Sequence, residues 1–558
     1  MSLKAVLERA KSGMEAVPED WMPATGTRAL VFEDPMLVWL DFHGEANGFS
    51  RDESQYDFTE FIFEKGRRFE QKWIEEIAPA AIRVCEHPGD SRSQQPLART
   101  LELLEEGAPL IAAPALWWAP ERVYGVPDLI VQSDWLRERF PSVGLDPGLT
   151  NHYVVLDMKF TTKLDSSPKK LDLLNYSAQV RIYSYILGML TGAMPRQAFI
   201  VCRDRIDVPL AVETASGADE PLDADLAKLR DRYLDIKLKG ATFSPGTDRR
   251  IELNLQNDKD APWHSAKVQI ARELRPGGDP CLLYQIGTTQ RQQLAEHGYD
   301  SLEALLGEDP GQVPLESCKG LGAAKCPRIR AVLGANRSGD VVPVTLSSLP
   351  PEKPVELYVD FEFFNNLNVD FDRQWPTLEG SEMIFMVGVG WEEAGQWRFE
   401  AIIADSEDSA GERGLLDRFG GFLQAQTTRK GTDQASLVLY HWTSAEVWQL
   451  RNACDRHELG VDHPLRSLPW YDIQKEIFLK EPIGVPGTLK YGLKGVATAL
   501  GLVEWLGNVA DGLGASVAGW KAYEEASPLA SPHMKIVREY NEVDCRALLE
   551  IVKWLRSR

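Results

Sequence analysis

The chain reads as an α/β protein of more than one domain, and three observations lead there. Its 558 residues exceed the roughly 250–300 that one hydrophobic core can serve. Strand-like apolar runs such as "YVVLDMKFTT" and "QAFIVCRD" alternate with helical patterns such as "LLNYSAQVRIYSYILGML". Between two such zones lies a stretch of short helical patterns broken by glycine, including "KGLGAAKCPRIRAVLG". The expected boundaries are an α/β domain over 1–250, a small helical domain over 251–345 and a second α/β domain over 346–558. The stretch "SGDVVPVTLSSLPPEKP" has the proline and serine content of the linker before the last of them.

Composition narrows the class. No apolar stretch reaches the roughly 18 residues of a membrane span, and the opening "MSLKAVLERAKSGMEAVPED" has no continuous apolar run. A cytoplasmic protein with no membrane partner is expected. The seven cysteines, at 85, 202, 281, 318, 326, 454 and 545, are scattered, odd in number and without a CxxC pair. That pattern fits a reducing compartment and excludes a disulfide framework. Sixty-one basic residues against 83 acids leave a net charge of −22, which argues against broad non-specific nucleic-acid binding. A local basic channel, metal ions at the acids, or a protein partner that supplies basic surface stay open.

The stretch "VELYVDFEFF" carries two of those acids into an otherwise apolar strand. Asp360 and Glu362, at i and i+2, project from one face about 7 Å apart. Unpaired buried anions are costly and a like-charged neighbour adds to the cost. A divalent cation between them would remove it. Further on, "SLVLYHWTSAEVWQL" is a strand leading into a helix with Glu446 in its first turn, and "KIVREYNEVDCRALLEIVKWL" places Tyr540 and Asp544 at i and i+4 of a helix. Four acids and a tyrosine can hold two divalent ions about 4 Å apart, with the tyrosine orienting an attacking water. Thr443-x-x-Glu446 is equally the spacing of a capping box, and a Tyr/Asp pair at i+4 that of a solvated helix face.

On the DFE of the first motif and the YNEVD of the third, the segment resembles the DEDD exonucleases of the tyrosine subclass, whose fold is ribonuclease-H-like. The second motif departs, with Glu446 where most members have aspartate. The resemblance implies metal ligation by Asp360, Glu362, Glu446 and Asp544, catalysis by Tyr540, two Mg²⁺ or Mn²⁺ ions, and removal of nucleotides from 3′ ends.

The N-terminal zone repeats the device. In "YVVLDMKFTTK", Asp157 and Lys159 share a strand face; "VYGVPDLIV" holds Asp128 in an apolar run; "FIFEKGRRFEQKWIEEI" is a helix carrying Glu70; and "SAQVRIYSY" puts Gln179 and Tyr183 on one helical face. Two aspartates and a glutamate can hold Mg²⁺ while the lysine orients water and offsets charge on a phosphate. The ordered set of helix Glu, G-x-x-D, D-x-K and Q-x-x-x-Y is similar to PD-(D/E)xK nucleases of the RecB type, which have a restriction-endonuclease-like fold. By that resemblance Glu70, Asp128 and Asp157 are metal ligands, and Lys159, Gln179 and Tyr183 are catalytic. Members of that branch often hold an iron–sulphur cluster; the spaced cysteine triplet they use is missing here, so none is expected.

In the middle zone, "CKGLGAAKCPRIRAVLG" resembles a helix-hairpin-helix element, with Lys319, Lys325 and Arg328 as its expected nucleic-acid contacts and Arg330 as further positive charge. A helical linker with a glycine turn has the same pattern. Lys494, in "TLKYGLKGVATALGL", is a fourth expected contact. The whole order, over about 30–558, is similar to a family of two-nuclease microbial proteins. The function this implies is metal-dependent hydrolysis of nucleic acid at two sites, with DNA as the expected substrate and RNA the alternative. The rival readings are a nucleic-acid-binding or scaffold subunit with one or both sites inactive, and an RNA-processing 3′–5′ exonuclease.

Overall fold

The structure is a computed structural model that describes residues 3–54, 56–161, 171–203, 205–213, 222–256, 262–342, 349–367, 369, 371, 380, 382–505 and 512–558. Residues 343–348 of the expected linker lie outside that range. The chain forms two compact units. One comprises Met1–Asp52, Thr59–Lys267 and Asp370–Glu379, the other Glu53–Phe58, Val268–Val369 and Gly380–Arg558. Among the described residues no helix is long and apolar enough to cross a membrane.

The strands of the first unit are β1 (Met22–Pro23), β2 (Ile82–Arg83), β3 (Leu110–Ala112), β4 (Leu116–Trp118), β5 (Val123–Gly125), β6 (Leu129–Gln132), β7 (Tyr153–Lys159), β8 (Gln197–Cys202) and β9 (Arg205–Glu213). Six of them make one mixed sheet in the order β2-β3-β6-β7-β8-β9, and β1, β5 and β4 make a small second sheet. β7 and β8 run parallel, and the helix Leu171–Thr191 supplies the crossover that parallel neighbours require. Val154, Val155 and Leu156 of β7 and Phe199, Ile200 and Val201 of β8 are fully buried. Such near-continuous apolar runs belong to strands covered on both faces. β6 lies antiparallel to β7 with Leu129 opposite Leu156, so the next pair outward is Asp128 and Asp157.

The second unit is built on β10 (Val355–Phe364), β11 (Met383–Glu393), β12 (Gln396–Ile403), β13 (Leu437–His441) and β14 (Trp470–Asp472), in the order β12-β11-β10-β13-β14. β10, β11 and β12 are antiparallel neighbours, while β13 and β14 run parallel to β10. β10 is therefore the central strand, and its register with β11 shifts between Glu362 and Phe363, a bulge of the kind that re-aims side chains. The helix Pro532–Arg556 packs along β10 and β11. Ser531 caps it, accepting from the His533 amide at 3.1 Å, and Pro532 opens its first turn. Its buried stripe runs Val537, Asn541, Asp544, Cys545, Leu548, Ile551, Val552 and Leu555. Two polar residues thus stand on the face that the apolar spacing commits to the core.

The middle of the chain departs from the expected three-domain division. The helices Thr288–Glu296, Leu302–Gly307 and Cys326–Ser338 have no core of their own. Leu294, Leu305, Val313, Ile329 and Val332 belong to one continuous buried cluster with Tyr358, Tyr440, Ile477, Leu548 and Ile551 of the C-terminal sheet and helix. Helices this short bury one apolar face each, and the sheet supplies the surface they need.

Gly484 marks how close the contact is. A Cβ there would fall onto the carbonyl oxygen of Ala331, in the Cys326–Ser338 helix. Gly484→Ala is therefore expected to destabilise the second unit by about 2 kcal/mol through forced separation. The check is urea unfolding, where the midpoint falls at unchanged slope; an unmoved midpoint contradicts this packing.

Candidate active site

In the second unit three elements converge. β10 supplies Asp360 and Glu362, the first turn of the helix Ala445–Arg456 supplies Glu446, and the helix Pro532–Arg556 supplies Tyr540, Asn541 and Asp544. Glu362, Glu446 and Asp544 are all less than 8% exposed. Burial, then the charges of Asp544, Glu362 and Glu446, push the Asp360 carboxyl well above the ordinary range. Burial and Asp544 do the same to Glu362. Asp544 is pushed up to about 6, mainly by burial, with the Trp505 indole, Lys494 and the Tyr540 hydroxyl pulling the other way. Burial and the same three acids raise the Tyr540 phenol, which stays protonated as a donor to Asp544.

Each acid is turned onto a protein donor. Asn541 Nδ2 donates to Asp360 Oδ2 at 2.7 Å and to Glu362 Oε1 at 3.3 Å, bridging the two strand carboxylates. Asn541 is fully buried and lies against Gly388 of β11, opposite Asp360, where a Cβ would collide with its amide oxygen. Trp505 Nε1 donates to Asp544 Oδ1 at 2.6 Å. His441, at the end of β13, holds its Nδ1 against the Thr443 carbonyl and 3.2 Å from Glu446 Oε2. Glu446 also faces Asp360, and its charge adds to the rise of the Asp360 carboxyl.

The capping-box alternative for Glu446 fails. The helix N-cap is Ser444, with no side-chain capping bond, and the Glu446 carboxylate faces His441 and Asp360 instead. Glu446 heads the buried stripe Gln449, Leu450, Ala453 and Cys454 of its helix. Tyr540 and Asp544 do not form a solvated face either, since Asp544 lies on the buried stripe.

In the first unit, Glu70, Asp128, Asp157, Lys159, Gln179 and Tyr183 form a second electrostatic cluster. Lys159 Nζ is 2.5 Å from Asp157 Oδ2, and the Met158 amide donates to Asp128 Oδ2 at 2.5 Å. Burial, with Asp157 and Glu70, drives the Asp128 carboxyl well above its usual range, and burial with Asp157 also raises Glu70. Burial alone would depress Lys159, but the Asp157 and Asp128 charges outweigh it and hold the ammonium on. Gln179 Nε2 donates to the Tyr183 hydroxyl at 3.0 Å, and burial plus Asp157 raises that phenol. Arg83 of β2 stands 3.6 Å from Glu70, and the Lys159 ammonium lies 5.4 Å from the Tyr176 ring.

The expected nucleic-acid contacts separate. Lys319 is exposed beside Gly320, whose φ is +84°. Lys325 Nζ donates to the Gly320 carbonyl at 3.1 Å. Arg328 spends its Nε on the Leu479 carbonyl at 2.7 Å, tying its helix to the sheet domain, and Arg330 is paired with Glu316. Lys494, by contrast, sits over the Tyr540 ring at 4.4 Å, within the carboxylate cluster.

Asn541, Trp505 and His441 in one cluster, and Arg83 and Tyr176 in the other, escape a reading by motif. Asn541 alone left a signal: an amide on the apolar stripe of a helix that must be hydrogen-bonded to be buried. Among the described residues no three His, Cys, Asp or Glu are arranged ready to hold a metal ion. The carboxylates are engaged with Asn541, Trp505 and His441. Their donor chemistry, oxygen only and anionic, is nevertheless that of Mg²⁺ and Mn²⁺ sites.

A family model described as the RNase H superfamily (RNase_H_2) matches residues 377–556. The match spans Glu446, Lys494, Tyr540 and Asp544 and starts after β10. No curated protein matches the chain. The C-terminal part of this mixed α/β chain is thus similar to RNase H-like domains, a fold that typically uses divalent metals and supports a nuclease-like function.

The elevated Asp544 carries a pH signature in metal-free protein. A carboxyl whose folded value, about 6, exceeds its ordinary 3.8 favours the fold when protonated. The stability it adds is complete below its unfolded value and is lost as pH rises through its folded one. In EDTA, wild type is expected to lose on the order of 2 kcal/mol more than Asp544→Asn between about pH 4 and pH 7. Equal slopes in chemical denaturation would remove the buried-carboxyl assignment.

Proposed function

We propose that the chain is a metal-dependent nuclease with two phosphodiesterase sites, a DEDD-type 3′–5′ exonuclease in the second unit and a PD-(D/E)xK, RecB-type nuclease in the first. The observation that carries the reading is the convergence of Asp360, Glu362, Glu446 and Asp544 with Tyr540 on one buried point, at an energetic cost no structural role requires. A divalent cation bound there supplies a potent nucleophile from water and stabilises the leaving oxygen of a phosphodiester. Asp360 and Glu362 from the strand, with Glu446 and Asp544 from the helices, are the residues that hold it. Tyr540, kept protonated, offers a hydroxyl to position the attacking water. No nucleophilic side chain is needed.

At the other site Glu70, Asp128 and Asp157 are the ligands. Lys159, whose charge the aspartates maintain, orients water and offsets negative charge building on the phosphate. Gln179 fixes the Tyr183 hydroxyl beside it. DNA is the proposed substrate, and the exposed Lys319 with Lys325 are proposed backbone contacts in the acidic chain.

The test uses 5′- and 3′-labelled single- and double-stranded DNA and RNA with Mg²⁺ or Mn²⁺. Asp360→Ala is expected to abolish 3′-end removal and Lys159→Ala the other cleavage, each by about a hundredfold or more. Activity in wild type no greater than in the double variant contradicts the proposal and favours a binding subunit. Preference for a 2′-hydroxyl moves the substrate to RNA.

A further inference from the structure

We propose that Lys494 is a built-in counter-cation of the C-terminal carboxylate cluster, displaced when a divalent cation loads and so released toward the incoming phosphodiester. The inference rests on the nuclease reading of that site. Lys494 is the second residue of the helix Leu493–Ala499, and its ammonium lies 4.4 Å from the Tyr540 ring centroid, a cation–π distance. Its charge acts on Glu362 and on Asp544, one from β10 and one from the C-terminal helix, easing the repulsion that Glu446 adds to both.

The backbone that presents it is anchored. Val496 and Ala497 of the same helix are fully buried, and the Tyr491 hydroxyl, three residues before Lys494, donates to the Arg328 carbonyl at 3.0 Å. The side chain it carries is a compact charge on a four-carbon stem with three donors. An ammonium and a doubly charged ion cannot both sit against Glu362 and Asp544 without repelling each other. Loading one therefore expels the other, and the coupling is reciprocal. A phosphate oxygen brings back the negative charge that the displaced ammonium has lost.

The experiment titrates Mn²⁺ alone into the full chain by calorimetry, with no nucleic acid present. The C-terminal site is the part of the isotherm that Glu362→Gln removes. Lys494→Met is expected to bind Mn²⁺ there about tenfold tighter than wild type, because a competing cation is gone. Lys494→Arg and the exposed neighbour variant Lys490→Met are expected to stay within about twofold. In cleavage assays Lys494→Met is expected to lose about tenfold in kcat/KM through a raised KM. Lys494→Gln, which keeps the stem and a polar end, carries the same expectations should the methionine variant not fold. Unchanged or weaker Mn²⁺ binding in both uncharged variants overturns the role of Lys494. A wild-type isotherm with no Glu362-dependent part overturns the nuclease reading and this inference with it.

Discussion

Two carboxylates on one face of a central strand, Glu362 buried and Asp360 half-buried, govern what is packed around β10. A buried anion needs a hydrogen-bond donor or a counter-charge, and a second anion two residues away doubles the requirement. The protein meets it with Asn541, whose amide bridges Asp360 and Glu362, and with a glycine at 388 that lets the amide approach the sheet. Trp505 and His441 do the same for Asp544 and Glu446. What these partners leave is mutual repulsion among the acids, visible in the upward displacement of Asp360, Glu362 and Asp544. Stability alone would have been better served by apolar residues of similar volume.

The first unit resolves the same conflict differently. There the strand pairs its aspartate with a lysine two residues on, so Asp157 and Lys159 compensate each other within β7. Asp128, placed opposite Asp157 by the antiparallel register of β6, adds the second acid without a second lysine. Both clusters ride on central strands held by buried neighbours, which fixes their geometry more firmly than loops would.

Much of this was legible in the chain because period and polarity conflict at the relevant positions. Asp360, Glu362, Asp157 and Lys159 announce themselves as charges where a buried strand wants none. Asp544 does so on the apolar stripe of a helix. Glu446 was ambiguous, because a capping box uses the same spacing, and only the direction of its side chain decides. Trp505 and His441 were illegible, since their partners lie 39 and 5 residues away along paths no periodicity encodes. The helical stretch misled for a related reason. Its short amphipathic helices read as an independent domain, whereas their apolar faces are spent on the C-terminal sheet, and Arg328, expected at a phosphate, ties the two together.

On the proposed reading, the acids of β10 are a liability to the fold that a divalent cation relieves. The direct measurement is the melting temperature of wild type and Glu362→Gln, each in EDTA and in Mn²⁺. Glu362→Gln is expected to melt higher than wild type in EDTA and to respond less to Mn²⁺. A variant that melts lower than wild type in EDTA, with an undiminished Mn²⁺ response, would mean that Glu362 stabilises the fold and holds no cation.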